Sequence, residues 1–339
     1  MPLLEVHDLS VEYRRGGRTV RAADGVSLTI DAGSFFGLVG ESGCGKSTVA
    51  KALLRLLPPT ARILTGQIRF EGRDLVTLSE GEIRRVRWKD IAYIPQSSLN
   101  ALNPVAKVGR QVADAFRLHE AGTRREARRR VAPLFEMVGL DPERMEDFPH
   151  QFSGGMRQRV AIAMAFALRP RLVIADEPTT ALDVVMQDQI LDKIRELHRT
   201  FHHAMLLITH DISLVAENCD HVAVMYAGRI VERGSAEAVF TRAAHPYTLG
   251  LENAFPNLRG PKKKLIAIPG APPSLEAPIP GCAFAPRCPF SEARCHSQPP
   301  AWAEIAPGHG LACHFPHRAE EFARASRLAE TWQRVGAAR

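Results

Sequence analysis

The chain lacks a long hydrophobic run. Its longest, Val160–Leu168, is nine residues, whereas a helix needs roughly 20 apolar residues to cross a bilayer. No transmembrane helix is expected. The opening stretch, MPLLEVHDLSVEY, has no basic segment leading into an apolar one, so no secretory signal is expected either. The cysteines never form a C-x2-C pair, the knuckle that zinc ribbons use. Aromatic residues are sparse and do not interleave with the basic residues, which speaks against an RNA-reading surface. What is present is ordinary for a globular protein of one to three domains: 339 residues, 45% hydrophobic and 24% charged. The net charge is +7, with arginine clustered at Arg124-Arg125 and Arg128-Arg129-Arg130. Such a cluster could attract nucleic acid or an anionic leaflet; a solvated helix face is the simpler expectation.

Short strands are expected over residues 1–38, and VSLTI runs into the turn signal Asp31-Ala32-Gly33. FFGLVG is a compact apolar run breaking into glycines, followed by a helix over Lys46–Leu57 that Pro58-Pro59 stops. Residues ~98–170 lean helical, with helical spacing over Arg124–Val138 and again over Met156–Leu168. LVIAD and LLITH read as buried strands, and HVAVMYAGRIVERG as two strands around Gly228. Alternating strands and helices predict an α/β fold with a mostly parallel sheet and helices on its faces. After ~240 the composition changes: prolines from Pro256 to Pro280 punctuate a segment without clear periodicity, ending in an expected helix around Ala319–Val335.

Gly40-Glu41-Ser42-Gly43-Cys44-Gly45-Lys46-Ser47-Thr48 matches G-x-x-x-x-G-K-[ST] throughout, after an apolar strand and before a helix. Glycines at these positions let backbone N–H groups approach phosphates, and the helix N-terminus adds partial positive charge. Lys46 is the expected contact to the β/γ-phosphates, and the Ser47 hydroxyl the expected Mg²⁺ ligand. Leu172–Ala175 leads into Asp176-Glu177. Asp176 at the carboxyl end of a strand suits Mg²⁺, usually through water; Glu177, one residue on, is the candidate for polarising an attacking water.

Ser153-Gly154-Gly155-Met156-Arg157-Gln158-Arg159 lies 113 residues after Gly40 and 23 before Asp176. The stretch FSGGMRQR resembles the signature motif of ABC ATPases, with Met156 where that family usually has Gln. The resemblance implies a P-loop NTPase fold with a mostly parallel core sheet, an antiparallel β subdomain and a helical subdomain. It also implies further roles: Gln96 as the Q-loop residue touching Mg²⁺ and water, His210 contacting the γ-phosphate, and Tyr13 stacking on adenine. Ala181-Leu182-Asp183 resembles the D-loop crossing a dimer interface. Ser153, Gly154 and Gly155 would complete the ATP site of a second, facing ATPase.

Beyond the ATPase domain, 1–240, the stretches His245-Pro246-Tyr247-Thr248, IPGAPPSL and GC-x5-CP-x6-C, with SSLNALNP after Gln96, resemble the ATPase subunits of dipeptide and oligopeptide importers. Residues 241–339 then correspond to their C-terminal extension. The combination of FSGGMRQR with the cysteines resembles the D-type subunit. The resemblance implies two transmembrane permeases, a second, non-identical ATPase and an extracytoplasmic binding protein reached through the permeases. It implies a peripheral place on the cytoplasmic face of the membrane and no nucleic-acid partner. Cargo would be di- or oligopeptides, or alternatively a nickel complex or another small solute. A soluble ABC ATPase acting on nucleic acid would need a long coiled coil between the Walker motifs or two cassettes, and neither is present.

Cys282, Cys288, Cys295 and Cys313 are spaced C-x5-C-x6-C-x17-C. In a cytosolic setting such clustering favours metal over disulfides. Four thiolates suit zinc or an iron–sulfur cluster, and His296 and His314 could join a mixed zinc site, so spacing leaves the metal open. The resemblance implies a [4Fe-4S] centre with a structural role.

Overall fold

The computed structural model describes residues 2–96, 101–180, 182–254 and 265–337. Ala181, residues 97–100 of SSLNALNP, and Pro256 and Pro261 lie outside the described residues. The strands, in chain order, are β1 (Pro2–Arg15), β2 (Arg18–Asp31), β3 (Phe35–Val39), β4 (Ala61–Phe70), β5 (Arg73–Asp74), β6 (Ile91–Ile94), β7 (Leu172–Asp176), β8 (Ala204–Thr209), β9 (His221–Tyr226), β10 (Arg229–Ser235), β11 (Trp302–Ala306) and β12 (His309–Ala312). By contacts the chain forms two compact units, one of Met1–Leu3, Ile30–Ser34 and Thr77–Ile208, the other of Leu4–Thr29, Phe35–Val76 and Thr209–Arg339.

In the first unit, β7 pairs in parallel with both β6 and β8. Every residue of β7 and β8 is buried, the expected state of parallel strands covered on both faces. The helices Val108–His119, Val131–Met137 and Gly154–Phe166 contact one another. The expected single helix over Arg124–Val138 is two, Arg124–Arg129 and Val131–Met137, meeting at Arg130. The capping box of Thr123 with Glu126 starts the first. Its arginines lie on the surface: Arg128 pairs with Glu146 and Arg130 with Glu120, while the Arg130 guanidinium sits 3.8 Å over the Phe116 ring. The arginine cluster is a solvated face laced with ion pairs.

In the second unit, β1 and β2 are single strands of 14 residues each rather than several short ones. They join an antiparallel sheet of order β2-β1-β4-β5. A second set runs β11-β12-β10-β9-β3, with β3 parallel to β9 and the rest antiparallel. The helix after the glycine loop spans Lys46–Leu53. It stops four residues earlier than expected because Arg55 takes a left-handed backbone, φ 52°; the prolines act on a chain that has already left the helix. The hairpin β11–β12 was not legible in the proline-rich tail. It adds to β10 at Glu232↔Leu311 and Arg233↔Gly310. Fully buried Glu232 locks it there, accepting from the Ala244 and His245 N–H groups and pairing with His309 Nε2 at 2.8 Å. The expected terminal helix is two, Ala319–Ser326 and Ala329–Ala337.

Candidate nucleotide-binding site

The second unit carries the glycine loop between β3 and the helix Lys46–Leu53. Gly40 and Gly45 have φ of 154° and 108°, and a Cβ at either would lie 2.1 Å from the Met225 carbonyl oxygen or 2.0 Å from that of Ala22. Only glycine fits both the conformation and the space. Lys46 is buried, and its ammonium donates to the carbonyls of Gly40 at 2.7 Å and Glu41 at 3.0 Å, so the lysine lies along the loop it would serve. Cys44 is also buried, and burial pushes its thiol pKa up; it is an inert packing residue of the loop. The Tyr13 hydroxyl lies 3.3 Å from the Thr48 hydroxyl, which sets that aromatic beside the helix opening from the loop. His210 is exposed directly after β8; the Thr209 hydroxyl accepts from the Asp211 N–H at 3.0 Å.

The first unit holds the acidic pair at the carboxyl end of β7. Asp176 is 1% exposed and accepts from the Tyr93 hydroxyl at 2.8 Å. Burial, and then the neighbouring Asp176 charge, drive the Tyr93 pKa upward, so Tyr93 is a permanent donor to this carboxylate. Glu177 is buried with φ 47°, a conformation few non-glycine residues adopt without reason. Its backbone N–H donates to Ile208 O at 2.8 Å, and its carboxylate accepts from Gln96 Nε2 and the Thr180 hydroxyl, both at 2.9 Å. Gln96 is thus bonded to Glu177, while Asp176, the preceding residue, is held separately by Tyr93. Tyr93 and Thr180 were not singled out from sequence; the one hydroxyl within the apolar strand IAYI was the available signal for Tyr93.

The signature is a helix start in the same unit. Ser153 caps Gly154–Phe166, its hydroxyl accepting from the Met156 N–H at 3.3 Å. Met156, in the position usually held by Gln, presents its sulfur 3.4 Å from Arg144 Nη1, so a weak acceptor fills that place. A Cβ on Gly155 would lie 2.2 Å from Met186 Cε. Asp183 caps the helix Val184–Phe201, accepting from the Met186 N–H at 3.0 Å.

In the second unit the four C-terminal cysteines converge. Cys282, Cys288, Cys295 and Cys313 line one cavity of about 20 Å³ together with Phe284, Phe290 and other apolar groups. Burial raises the thiol pKa of Cys282, Cys288 and Cys313, that of Cys313 to about 11, while backbone N–H groups of Phe284, Phe290 and Phe315 point at their sulfurs. Four thiols line one largely apolar space, three of them accepting amide hydrogen bonds. Among the described residues, however, no three His, Cys, Asp or Glu side chains are arranged to hold a single metal ion.

The chain is similar to known proteins along most of its length. Residues 23–180 match the ABC transporter family and residues 231–295 the oligopeptide/dipeptide transporter C-terminal region. A probable peptide ABC transporter ATP-binding protein of Sinorhizobium fredii is 48% identical, over 92% of this chain and 94% of the relative. The oligopeptide transport ATP-binding protein OppD of Bacillus subtilis is 45% identical (91% and 87% covered), and the dipeptide transport ATP-binding protein DppD of Escherichia coli 42% (93% and 97%). Among solved structures, a dimeric ATP-binding cassette in a post-hydrolysis state bound to ADP and phosphate superposes with a TM-score of 0.62 at 26% identity, covering 69% of this chain and 98% of that one. The chain belongs to the ABC transporter ATP-binding proteins, in the branch bearing the oligopeptide/dipeptide C-terminal region. It is an ATPase of the P-loop α/β fold. Among the described residues no helix is long and apolar enough to cross a membrane.

Proposed function

We propose that this chain is the D-type motor subunit of an importer for di- or oligopeptides, working at the cytoplasmic face of the membrane. It would pair with a second, homologous ATPase and dock on two permeases that receive cargo from an extracytoplasmic binding protein. The peptide-transport relatives and the matched C-terminal region support peptides over a nickel complex or another small solute. The observation that supports the ATPase mechanism is Glu177, buried on the strained turn after β7 with its carboxylate accepting from Gln96, beside Asp176 at the end of that strand.

Within this reading, Tyr13 faces adenine, while Gly40, Ser42, Gly43, Cys44, Gly45 and Thr48 belong to the loop that wraps the phosphates. Lys46 leaves its loop carbonyls for the β/γ-phosphates. Ser47, Gln96 and Asp176 would hold Mg²⁺, which would supply positive charge to the phosphates, with Tyr93 keeping Asp176 oriented. Glu177, steadied by Gln96 and Thr180, accepts a proton from the attacking water, and His210 contacts the γ-phosphate. Ser153, Gly154, Gly155 and Asp183 serve the ATP of the facing subunit. Cys282, Cys288, Cys295 and Cys313 would hold a [4Fe-4S] cluster. Bound, it would tie four distant points of the tail together, and it takes no part in phosphate chemistry.

Glu177→Gln tests the assignment. In the assembled transporter it should keep ATP binding and lower turnover and peptide uptake by about 10²-fold or more, since a positioned base contributes about that much. Near wild-type turnover would exclude Glu177 as the base.

A further inference from the structure

The glycine loop contains an acidic residue, Glu41, where it must receive a polyanion. The nearby Lys46 ammonium bonds the Glu41 backbone carbonyl rather than its carboxylate. The compensation comes from 246 residues away: Arg287, in the segment between Cys282 and Cys288, donates to Glu41 Oε2 at 2.6 Å and to Oε1 at 2.9 Å. Its Nη1 also reaches the Tyr226 hydroxyl at 3.2 Å, and its Nε donates to the Pro269 carbonyl at 2.8 Å. The arginine side chain is 4% exposed, and that of Glu41 26%. Burial alone would weaken the guanidinium's hold on its proton; the bonds to Glu41 and Tyr226 more than offset this and raise it. The Glu41 N–H meanwhile donates to the Tyr247 hydroxyl at 2.9 Å, so the C-terminal region grips this loop residue at both its backbone and its side chain.

We propose that Arg287 is a positioning residue for nucleotide binding, which holds the phosphate loop through Glu41 and neutralises the carboxylate that would otherwise repel the phosphates. A two-pronged arginine–carboxylate pair fixes direction as well as charge. Removing one partner of a largely buried pair leaves the other uncompensated. The C-terminal region is therefore part of the nucleotide site's electrostatics and not only an appendage. Glu41 keeps the same grip on Arg287, so the order of the segment between the cysteines depends on the loop in turn.

The inference rests on the reading of residues 40–48 as the phosphate loop, and the test separates the two. ATP affinity of the full chain would be measured by titration with Mg·ATP, with thermal unfolding recorded in parallel. Arg287→Ala should weaken ATP binding about ten-fold, the order expected for one unscreened carboxylate near the phosphates, and the loss should shrink as salt is added. Glu41→Gln in the Arg287→Ala background should restore most of the affinity. Glu41→Gln alone should tighten binding by about two- to three-fold, because the loop then carries one negative charge fewer while the arginine's positive charge stays; this arm stands even if Arg287→Ala fails to fold. If Lys46→Ala leaves ATP binding intact, the phosphate-loop reading itself fails. If Lys46→Ala weakens binding while Arg287→Ala does not, or while the double variant is no better than Arg287→Ala, Arg287 is only a scaffold contact and the proposal is overturned.

Discussion

The glycine loop at Gly40–Thr48 and the signature at Ser153–Gly155 both place glycines just before or inside the first turn of a helix, yet they need glycine for different reasons. At Gly45 the backbone is left-handed and the neighbour is a carbonyl oxygen 2.0 Å from any Cβ. That neighbour belongs to the edge of β2 and cannot yield without moving the strand. At Gly155 the backbone is helical and the obstacle is the terminal methyl of Met186, the free end of a flexible side chain. The loop's glycines are demanded by the fold. At Gly155, buried beneath Met186, glycine leaves room for that methionine.

The sharpest way to break this contrast is Gly45→Ala. Left-handed strain and a backbone clash together should cost about 3 kcal/mol or more and abolish ATP binding. An alanine variant with a wild-type urea midpoint and wild-type ATP affinity would end the argument from backbone demand.

A second prediction bears on the loop's support. Tyr247, which accepts from the Glu41 N–H, itself donates its backbone N–H to His245 Nδ1 at 3.0 Å. His245 is buried and neutral, its pKa pushed down by burial to about 4 although the Glu232 charge and the Ala312 carbonyl favour the cation. Its ordinary value is about 6.5. The folded state therefore binds its proton less readily than the unfolded chain. This share of stability is complete above about pH 6.5 and disappears as pH falls towards about 4, amounting to about 3 kcal/mol. His203 in the first unit, pushed down to about 3 by burial and then by His198, adds a similar acid loss there. His245→Asn should lower stability at pH 7 and flatten the decline in urea midpoint between pH 7 and 5. Parallel curves for the variant and the parent would dissociate His245 from the acid sensitivity.

Gly155→Ala should have the smallest effect. Met186 can swing aside, so stability should change by about 1 kcal/mol or less, and ATP binding by the chain's own loop should be unaltered. A loss as large as that of Gly45→Ala would mean that the signature is held as rigidly as the loop.

Sequence alone determined whatever is written in contiguous residues. The loop G-x-x-x-x-G-K-[ST], the apolar strands LVIAD and LLITH, the acidic pair and the signature are local patterns whose spacing follows from helix and strand geometry, and each lies where the residues indicated. Family membership was legible for the same reason. Tertiary structure decided what depends on residues distant in the chain. The helix after the loop ends at Leu53 because Arg55 turns left-handed, not because of the prolines. The tail without periodicity contains a hairpin because Glu232, fully buried, supplies acceptors for His309 and two backbone N–H groups. Tyr93 meets Asp176 only because β6 and β7 lie parallel in register. Arg287 meets Glu41 across 246 positions. Hydrophobic periodicity reports burial along one element, whereas the pairing of charges and hydroxyls is set by which elements become neighbours, and nothing local in a sequence encodes that.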